Sequence, residues 1–557
     1  MARWSLPLIM ITMACGEAPT LPEPLAAAGL PGPRRGGTLR FAIADDVRTL
    51  DAAIAYDEFS LYAEHLIFDG LLSYRPTSSG HPLELGPGLA ESWTISEDRR
   101  VYTFTLRPGI VYEDGSPIVA ADFANSIERI MNPATNTQAK QFYEHVEGAS
   151  ARKAGKADHL SGVRALDDRH LEIRLEKPDE SFLMIMAMMF IVPVPKAWSD
   201  KQGARIRDQP LASGPFRLVE WNQGSRMVFE RNPHYWNPEL PYLDRVEMDL
   251  QVGRDVAVLK FLRGEYDTLE RLSSDKYVQF AKSPEWKPYL VTTPATNVYG
   301  ELMDTTRPPF GPKDPNNPTD VANGKRVRQA MNYALNKEDS YRLYNERLVI
   351  AHGVLPPNMP GYDPNMKPYP YDPQRARALL AQAGYAKGFD IDYYITKDEA
   401  AEKFAQSIQA DLGDVGVRVH IKVLTFPTYL SAVQRPGTLQ FAYTSWYMDF
   451  PDPWNFLEVK FHTDRRPVST NESGYSNPEV DAILDAARVE PDRDKRLAMY
   501  HHVEEIVFDD CPWIWHYHGK IVEVLQPYVK NYHYHPAYLR DYRETWLDKP
   551  GTTRVTR

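Results

Sequence analysis

Two cysteines, Cys15 and Cys511, are all that the 557 residues contain. A disulfide framework is excluded, and a chain of this length buries enough surface to be stable without one. Long apolar runs are missing too. The stretches Leu6 to Ala14 and Phe182 to Val192 both fall short of the roughly 20 residues that cross a bilayer. Net charge is -11 and the sequence pI is near 5.8, with no dense basic stripe. Phosphate neutralisation, which drives nucleic-acid binding, therefore has no source, and DNA and RNA are not expected partners. Motifs of catalysis are also absent: there is no Gly-x-Ser-x-Gly, His-Glu-x-x-His, phosphate-binding Gly-x-x-x-x-Gly-Lys or Cys-x-x-Cys. Gly86-Pro87-Gly88 lacks the third glycine of a dinucleotide loop and reads as a turn. His501-His502, His516 with His518, and His533 with His535 are types that bind metals, but their aromatic neighbours favour packing, so no metal or cofactor is expected. With 75 acidic residues a catalytic carboxylate pair is not excluded by counting, yet nothing singles one out.

What is present is ordinary for a globular protein: 43% hydrophobic and 25% charged residues. At roughly 150 residues per domain, the length predicts three or four lobes. The first residues differ from the rest. Arg3 precedes the short run Leu6 to Ala14, which ends on a small residue before Cys15 and a Gly/Pro/Ala/Leu linker. That layout predicts a signal peptide over 1–14, cleaved ahead of Cys15, and a linker over 15–35. Ile11-Thr12-Met13-Ala14-Cys15 resembles a bacterial lipobox, with Thr12 where Leu is usual, so lipid on Cys15 is the expected anchor. Cys511, between Asp510 and Pro512, is expected to be a small core residue.

Period-two alternation predicts strands at Tyr102 to Leu106, at Leu171, Ile173 and Leu175, and at Val417, Val419, Ile421 and Val423. Helix grammar appears at Asp372-Pro373, closing on Gly384, and again at Asn477-Pro478. Strands and helices mix without the strict alternation of one doubly wound domain, and no repeat of 20 to 50 residues is present. The class is α/β, in several lobes.

Several segments then fall in a telling order: Gly37-Thr38-Leu39-Arg40, Phe68-Asp69-Gly70-Leu71, Leu89-Ala90-Glu91-Ser92-Trp93, and Tyr112-Glu113-Asp114-Gly115-Ser116-Pro117 with Ala121-Asp122-Phe123. Ser213-Gly214-Pro215-Phe216, Asn232-Pro233-His234-Tyr235-Trp236, Arg328-Gln329-Ala330-Met331-Asn332-Tyr333-Ala334 and Trp446-Tyr447-Met448-Asp449 follow. This series resembles the family 5 extracellular solute-binding proteins, the dipeptide and oligopeptide binders of ABC importers, from about residue 36 to 547. Val119 stands where the family usually has a Thr cap, which predicts a weakened helix start.

The resemblance implies a type II (cluster C) periplasmic-binding-protein-like fold, with two main lobes joined by a hinge and an extra inserted lobe. Lobe I would comprise 36–70, 210–300 and 515–549; the inserted lobe 71–209; lobe III 301–514. It implies a ligand in the inter-lobe cleft, lined by Tyr56, Asp57, Ser213, Gly214, Tyr443, Trp446, Tyr447 and Asp449, with Trp454 nearby. Asp449 matches the acid that pairs with a peptide's amine, and Tyr443 occupies a place where some oligopeptide binders carry Arg for the carboxylate. The expected function is capture of peptides or related solutes by a monomeric, extracytoplasmic lipoprotein, with delivery to ABC permease and ATPase subunits and no chemistry on the ligand. An exported hydrolase of peptides or glycans, and a solute-sensing receptor, are the alternatives.

Overall fold

The computed structural model describes residues 32–75, 83–270, 272–397, 399–433, 435, 437–466, 470–537 and 539–555. Cys15 and its flanking leader lie outside these residues. Elements form where the sequence grammar asks for them. Tyr102, Phe104 and Leu106 fill one face of the strand Val101–Leu106, and Leu171 and Ile173 of the neighbouring strand His170–Arg174 meet the same core. The helix Pro373–Gln382 starts under Asp372, whose carboxylate accepts from the Arg375 N–H at 2.9 Å. The helix Pro478–Val489 starts in the same way under Asn477.

Two expectations need refinement. Val119 supplies no side-chain cap to the helix Ala120–Met131, but Asp122 reaches back to accept from the Val119 N–H at 3.0 Å, so one half of a capping box survives. In the strand Val417–Leu424, Val417 and Val419 are buried but Val423 is 46% exposed. This strand ends its sheet, pairing among the described residues only with Phe389–Thr396, and its last residues outrun the core that covers the first.

Three sheets organise the chain. A four-stranded sheet has the order Thr38–Ala42, Arg245–Asp249, Arg226–Arg231, Phe216–Asn222. A second, Ala90–Ile95, Val101–Leu106, His170–Arg174, Val163–Ala165, belongs wholly to the middle of the first half. The largest sheet is built on Trp513–Leu525, thirteen residues and thus about 43 Å of strand. The first part of that strand pairs with Asn297–Met303 and Leu348–Ile350, and the last part with Leu290–Pro294 and Thr268–Leu269. Leu290–Pro294 and Asn297–Met303, separated by two residues, thus run alongside one continuous strand, so two adjacent segments join the halves of the molecule.

The apolar cores follow this division. Leu39, Phe41, Leu66, Phe229, Met248 and Leu547 share one core, and Met331, Leu380, Ile391, Ile408 and Phe441 another. A third runs from Phe104, Phe142 and Ile191 continuously to Phe450, Trp454, Tyr500 and Trp515, sealing residues of the first half against helices of the second. Most of the apolar run Phe182 to Val192 is consumed as buried packing, in this core and, through Met189 and Val192, in the first. Cys511 is fully buried at the end of the helix Arg493–Asp510, its thiol donating to Tyr369 Oη at 3.2 Å, and burial pushes that thiol up to about 12.

Candidate functional site

The strand Phe441–Tyr447 ends against Asn297–Met303, and the chain turns through Met448 to Pro453 before the helix Trp454–Phe461 begins. Asp449 sits in that turn. Asn455, in the first turn of the helix, holds it twice: its Oδ1 accepts from the Asp449 N–H at 2.9 Å, and its Nδ2 donates to Asp449 Oδ2 at 2.9 Å. From 393 residues earlier in the chain, the Tyr56 hydroxyl donates to Asp449 Oδ1 at 2.8 Å. A carboxylate can accept about four hydrogen bonds, so roughly half of its capacity remains.

Asp449 has no ion-pair partner among the described residues. The base that acts on it, Lys460, is committed to Glu472 at 2.6 and 2.8 Å and lies over the rings of Trp446 and Trp513. Burial therefore dominates and pushes the Asp449 carboxyl up to about 6, against the pull of the Asn455 and Tyr56 donors. A group in this state gains most from a cation brought by something else.

The other expected site residues separate into distinct places. Tyr56 packs its ring on Phe190 and Phe142 with centroids 5.7 and 6.3 Å away. Asp57 caps the helix Glu58–Ile67, accepting from the Ser60 N–H at 3.0 Å and the Ser60 hydroxyl at 2.8 Å. Ser213 and Gly214 lie at the far end of that helix, about 15 Å along its axis. Both donate their N–H to the Ile67 carbonyl, at 3.0 and 2.8 Å. A Cβ on Gly214 would stand 2.6 Å from the Ile67 carbonyl carbon, so the close approach itself requires glycine. The structure thus joins Tyr56 to Asp449 and leaves Ser213 and Gly214 anchoring backbone.

Along Phe441–Tyr447 side chains alternate in direction. Trp446 points toward Lys460 and Asn455, donating from its indole N–H to Asn455 Oδ1 at 3.4 Å. Tyr443 and Tyr447 take the other face and flank Tyr299, with centroids 6.0 and 5.9 Å away, while Tyr299 stacks on Tyr517 at 4.6 Å. Tyr447, hydroxyl to hydroxyl with Tyr299, is half exposed. Burial, reinforced by the charges of Glu58, Glu523 and Tyr447, holds the Tyr534 hydroxyl protonated. Asn455, Tyr299, Tyr517 and Tyr534 were not singled out by the sequence; only their tertiary neighbours give them significance.

A sequence profile described as "Bacterial extracellular solute-binding proteins, family 5 Middle" matches residues 84–467, more than half of the chain. The chain is a family 5 solute-binding protein. It is 28% identical over 471 residues to the dipeptide-binding protein of Escherichia coli K12, covering 81% of this chain and 84% of that protein. Among solved structures it is similar to the periplasmic binding protein DppA of Helicobacter pylori in complex with the peptide STSA, with a TM-score of 0.77, 27% identity, and 93% and 99% of the two chains covered. The Escherichia coli murein tripeptide binding protein MppA superposes with a TM-score of 0.76 at 25% identity over 92% and 98% of the chains. The mixed α/β architecture of this family 5 protein is therefore the type II binding-protein fold.

Proposed function

We propose that this protein captures peptides, or solutes that share a peptide's amino terminus, in a cleft between its lobes and passes them intact to an ABC importer. The lobes are assigned near 36–70, 210–300 and 515–549 for lobe I, 71–209 for the insertion, and 301–514 for lobe III. The separate apolar cores on either side of the Trp513–Leu525 crossing support this division. The observation that carries the reading is Asp449: a carboxylate drawn toward neutrality by burial, with Tyr56 from the first lobe on one oxygen and no cation of its own among the described residues. A ligand ammonium supplies what the site lacks, and contact with both lobes makes the ligand stabilise the closed form. The peptide binders among its relatives fit the same reading.

The test is calorimetry of a peptide and its N-acetylated form. Loss of the free amine, or Asp449→Asn, is expected to cost about 2–5 kcal/mol of binding. Equal binding of the two peptides would remove Asp449 as the amine anchor. Mass spectrometry of the recovered peptide distinguishes a receptor, which returns it whole, from a hydrolase. We also assign Cys15 as the lipid attachment point of a monomeric, membrane-tethered receptor, on the Arg3, Leu6 to Ala14 and Cys15 pattern alone. Cys15→Ser should release the protein from the membrane fraction.

A further inference from the structure

The segment between Leu71 and Ile191 is fastened to the first half of the molecule by backbone. Leu71 donates its N–H to the Ile191 carbonyl at 3.3 Å, and Leu89 and Ala90 donate to the Gly70 and Leu71 carbonyls at 2.9 Å. Glu113 and Ala212 bond each other twice at 2.9 Å, through the Glu113 N–H to the Ala212 carbonyl and through the Ala212 N–H to Glu113 Oε1. Arg129 adds an ion pair to Asp51 at 2.7 Å.

Toward the second half the same segment offers rings and charges. Phe142 is the centre of the ring contacts: Tyr56 and Phe190 lie 6.3 and 6.0 Å from its centroid, and Phe450 and Trp454 of the second half meet it edge-on at 6.1 and 6.5 Å. Glu144 pairs with Arg465 at 2.9 Å and Asp179 with Arg488. Beside that second pair the Glu180 N–H donates to the Arg488 carbonyl at 3.0 Å. Packed side chains can part and close again as rigid bodies move, whereas the backbone joints on the other side hold the segment in place, so the seam with the second half is the one built to open. It also ends at the acid. Tyr56, packed on Phe142, bonds Asp449, and Asn455, which follows Trp454, holds Asp449 from the other side of the seam.

Resting on the reading of a ligand cleft at Asp449, we propose that the segment bearing Phe142, Glu144 and Asp179 is a clasp that closes on Phe450, Trp454, Arg465 and Arg488 without any ligand, and so keeps Tyr56 on Asp449 before the solute arrives. These are positioning residues, acting on the ligand only through Tyr56 and Asp449. A receptor whose closed form is already populated loses little of its intrinsic affinity to the closing step, and the solute enters during transient openings of the clasp.

Hydrogen exchange on the ligand-free full chain reads the seam directly. The Glu180 amide is bonded across it, while the amides of Val101–Leu106, paired with His170–Arg174, report the segment's own fold. The parent should protect both. Glu144→Lys sets a like charge against Arg465; Glu144 is a third exposed and Arg465 keeps Glu458, so the variant is expected to fold. Its Glu180 amide should exchange about tenfold faster than the parent's with the Val101–Leu106 amides unchanged, and its radius of gyration in small-angle scattering should rise. Glu144→Asp, which keeps the charge, should stay near the parent. If Glu144→Lys also speeds exchange at Val101–Leu106, the segment itself has loosened, and Glu144→Gln is read in its place by the same criteria. A Glu180 amide already unprotected in the ligand-free parent overturns the proposal, and so does a folded variant whose Glu180 exchange and radius are those of the parent. No ligand enters the experiment, so its outcome is separate from whether Asp449 anchors an amine.

Discussion

Arg488 reaches Asp179, 309 residues earlier in the chain, with two N–H groups at 3.1 and 2.9 Å, and both side chains are buried. The pair belongs to a chain of charges that crosses between the first and second halves. Arg488 also donates to Glu458 at 2.8 Å, Arg465 bridges Glu458 to Glu144, and His145 meets Asp179 at 3.2 Å. Glu458 lies one turn after Asn455 on the helix Trp454–Phe461, so the segment bearing Glu144, His145 and Asp179 braces the element that holds Asp449. The Arg488 guanidinium also lies 4.5 Å from the Trp454 ring centroid.

Removing one member of such a pair leaves an uncompensated charge in the interior. Arg488→Met is therefore expected to destabilise the protein by about 3–5 kcal/mol, read from urea unfolding at neutral pH. The Asp179→Asn, Arg488→Met double variant should recover part of that loss, since no charge is then stranded. Arg488 and His145 hold the Asp179 carboxyl well below the usual range. A depressed carboxyl contributes stability above its unfolded pKa and loses it only as pH falls through the folded value, so this contribution should persist at pH 5. A double variant no better than the single one would show that the pair's charges are not what matters.

Gly214 gives a sharper geometric test. Its surroundings leave no room for a methyl group, because the Ile67 carbonyl carbon and the Phe68 nitrogen would each stand 2.6 Å from it. Gly214→Ala should cost on the order of 1–3 kcal/mol through overpacking of backbone on backbone. Ser213→Ala, which loses only a 3.4 Å bond from the Asp69 N–H, should cost less than half as much. Thermal unfolding of both variants checks the order.

If Asp449 meets a ligand ammonium, as proposed above, its carboxyl, pushed up to about 6, should make ligand binding pH-dependent. An ammonium pairs with the ionised form, so affinity should be flat above about pH 7 and fall toward tenfold per pH unit well below 6. Asp449→Asn should abolish the slope. Tyr56→Phe removes a donor that favours the carboxylate, and so should move the midpoint upward; Asn455→Ala should move it further, because Asn455 is the stronger of the two influences. Calorimetry across pH 5 to 8 gives all four curves, and a midpoint unmoved in both neighbour variants would rule out Asp449 as the titrating group.

How far the sequence anticipates these features depends on how local they are. The strand Val101–Leu106 and the helix Pro373–Gln382 are legible because alternation and an Asp-Pro start act within a few residues. The turn carrying Asp449 is recognisable from Trp446-Tyr447-Met448-Asp449 by resemblance. Tyr56 on its oxygen is another matter, since 393 residues separate the two and no spacing rule connects them. Arg488, Glu458 and Lys460 look like surface charges on amphipathic helices, and only the docking of Asp179 or the Glu472 carboxylate makes burial tolerable. Asp57, expected near the ligand, spends both oxygens on Ser60, which the Asp-x-x-Ser spacing at a helix start already allowed.

Glu504 supplies the last prediction. It projects from the helix Arg493–Asp510 into a buried position, where Oε1 accepts from the Val354 N–H at 2.7 Å and the Leu355 N–H at 2.8 Å. Oε2 has no partner among the described residues. Gly353 lies so close that a Cβ there would stand 2.3 Å from Oε1, and Asn358 of the same loop donates to the Pro294 carbonyl beside the crossing segment at 2.7 Å. Burial, reinforced by Asp363 and Glu505 and opposed by the two backbone donors, pushes the carboxyl up to about 7 from its ordinary 4.5. The sign follows directly. Between those two values the native protein keeps a proton that the unfolded chain has released, so stability falls as pH rises through the window, and the loss is complete above 7. Its size is on the order of 3 kcal/mol. Glu504→Gln keeps the carbonyl acceptor for both amides but cannot ionise, so urea midpoints of the variant should change less between pH 5 and 8 than those of the parent. The variant should gain relative to the parent at pH 8. Parallel curves across that range would mean that Glu504 is already ionised at pH 5 and that the loop bearing Val354 and Leu355 is held by a charge.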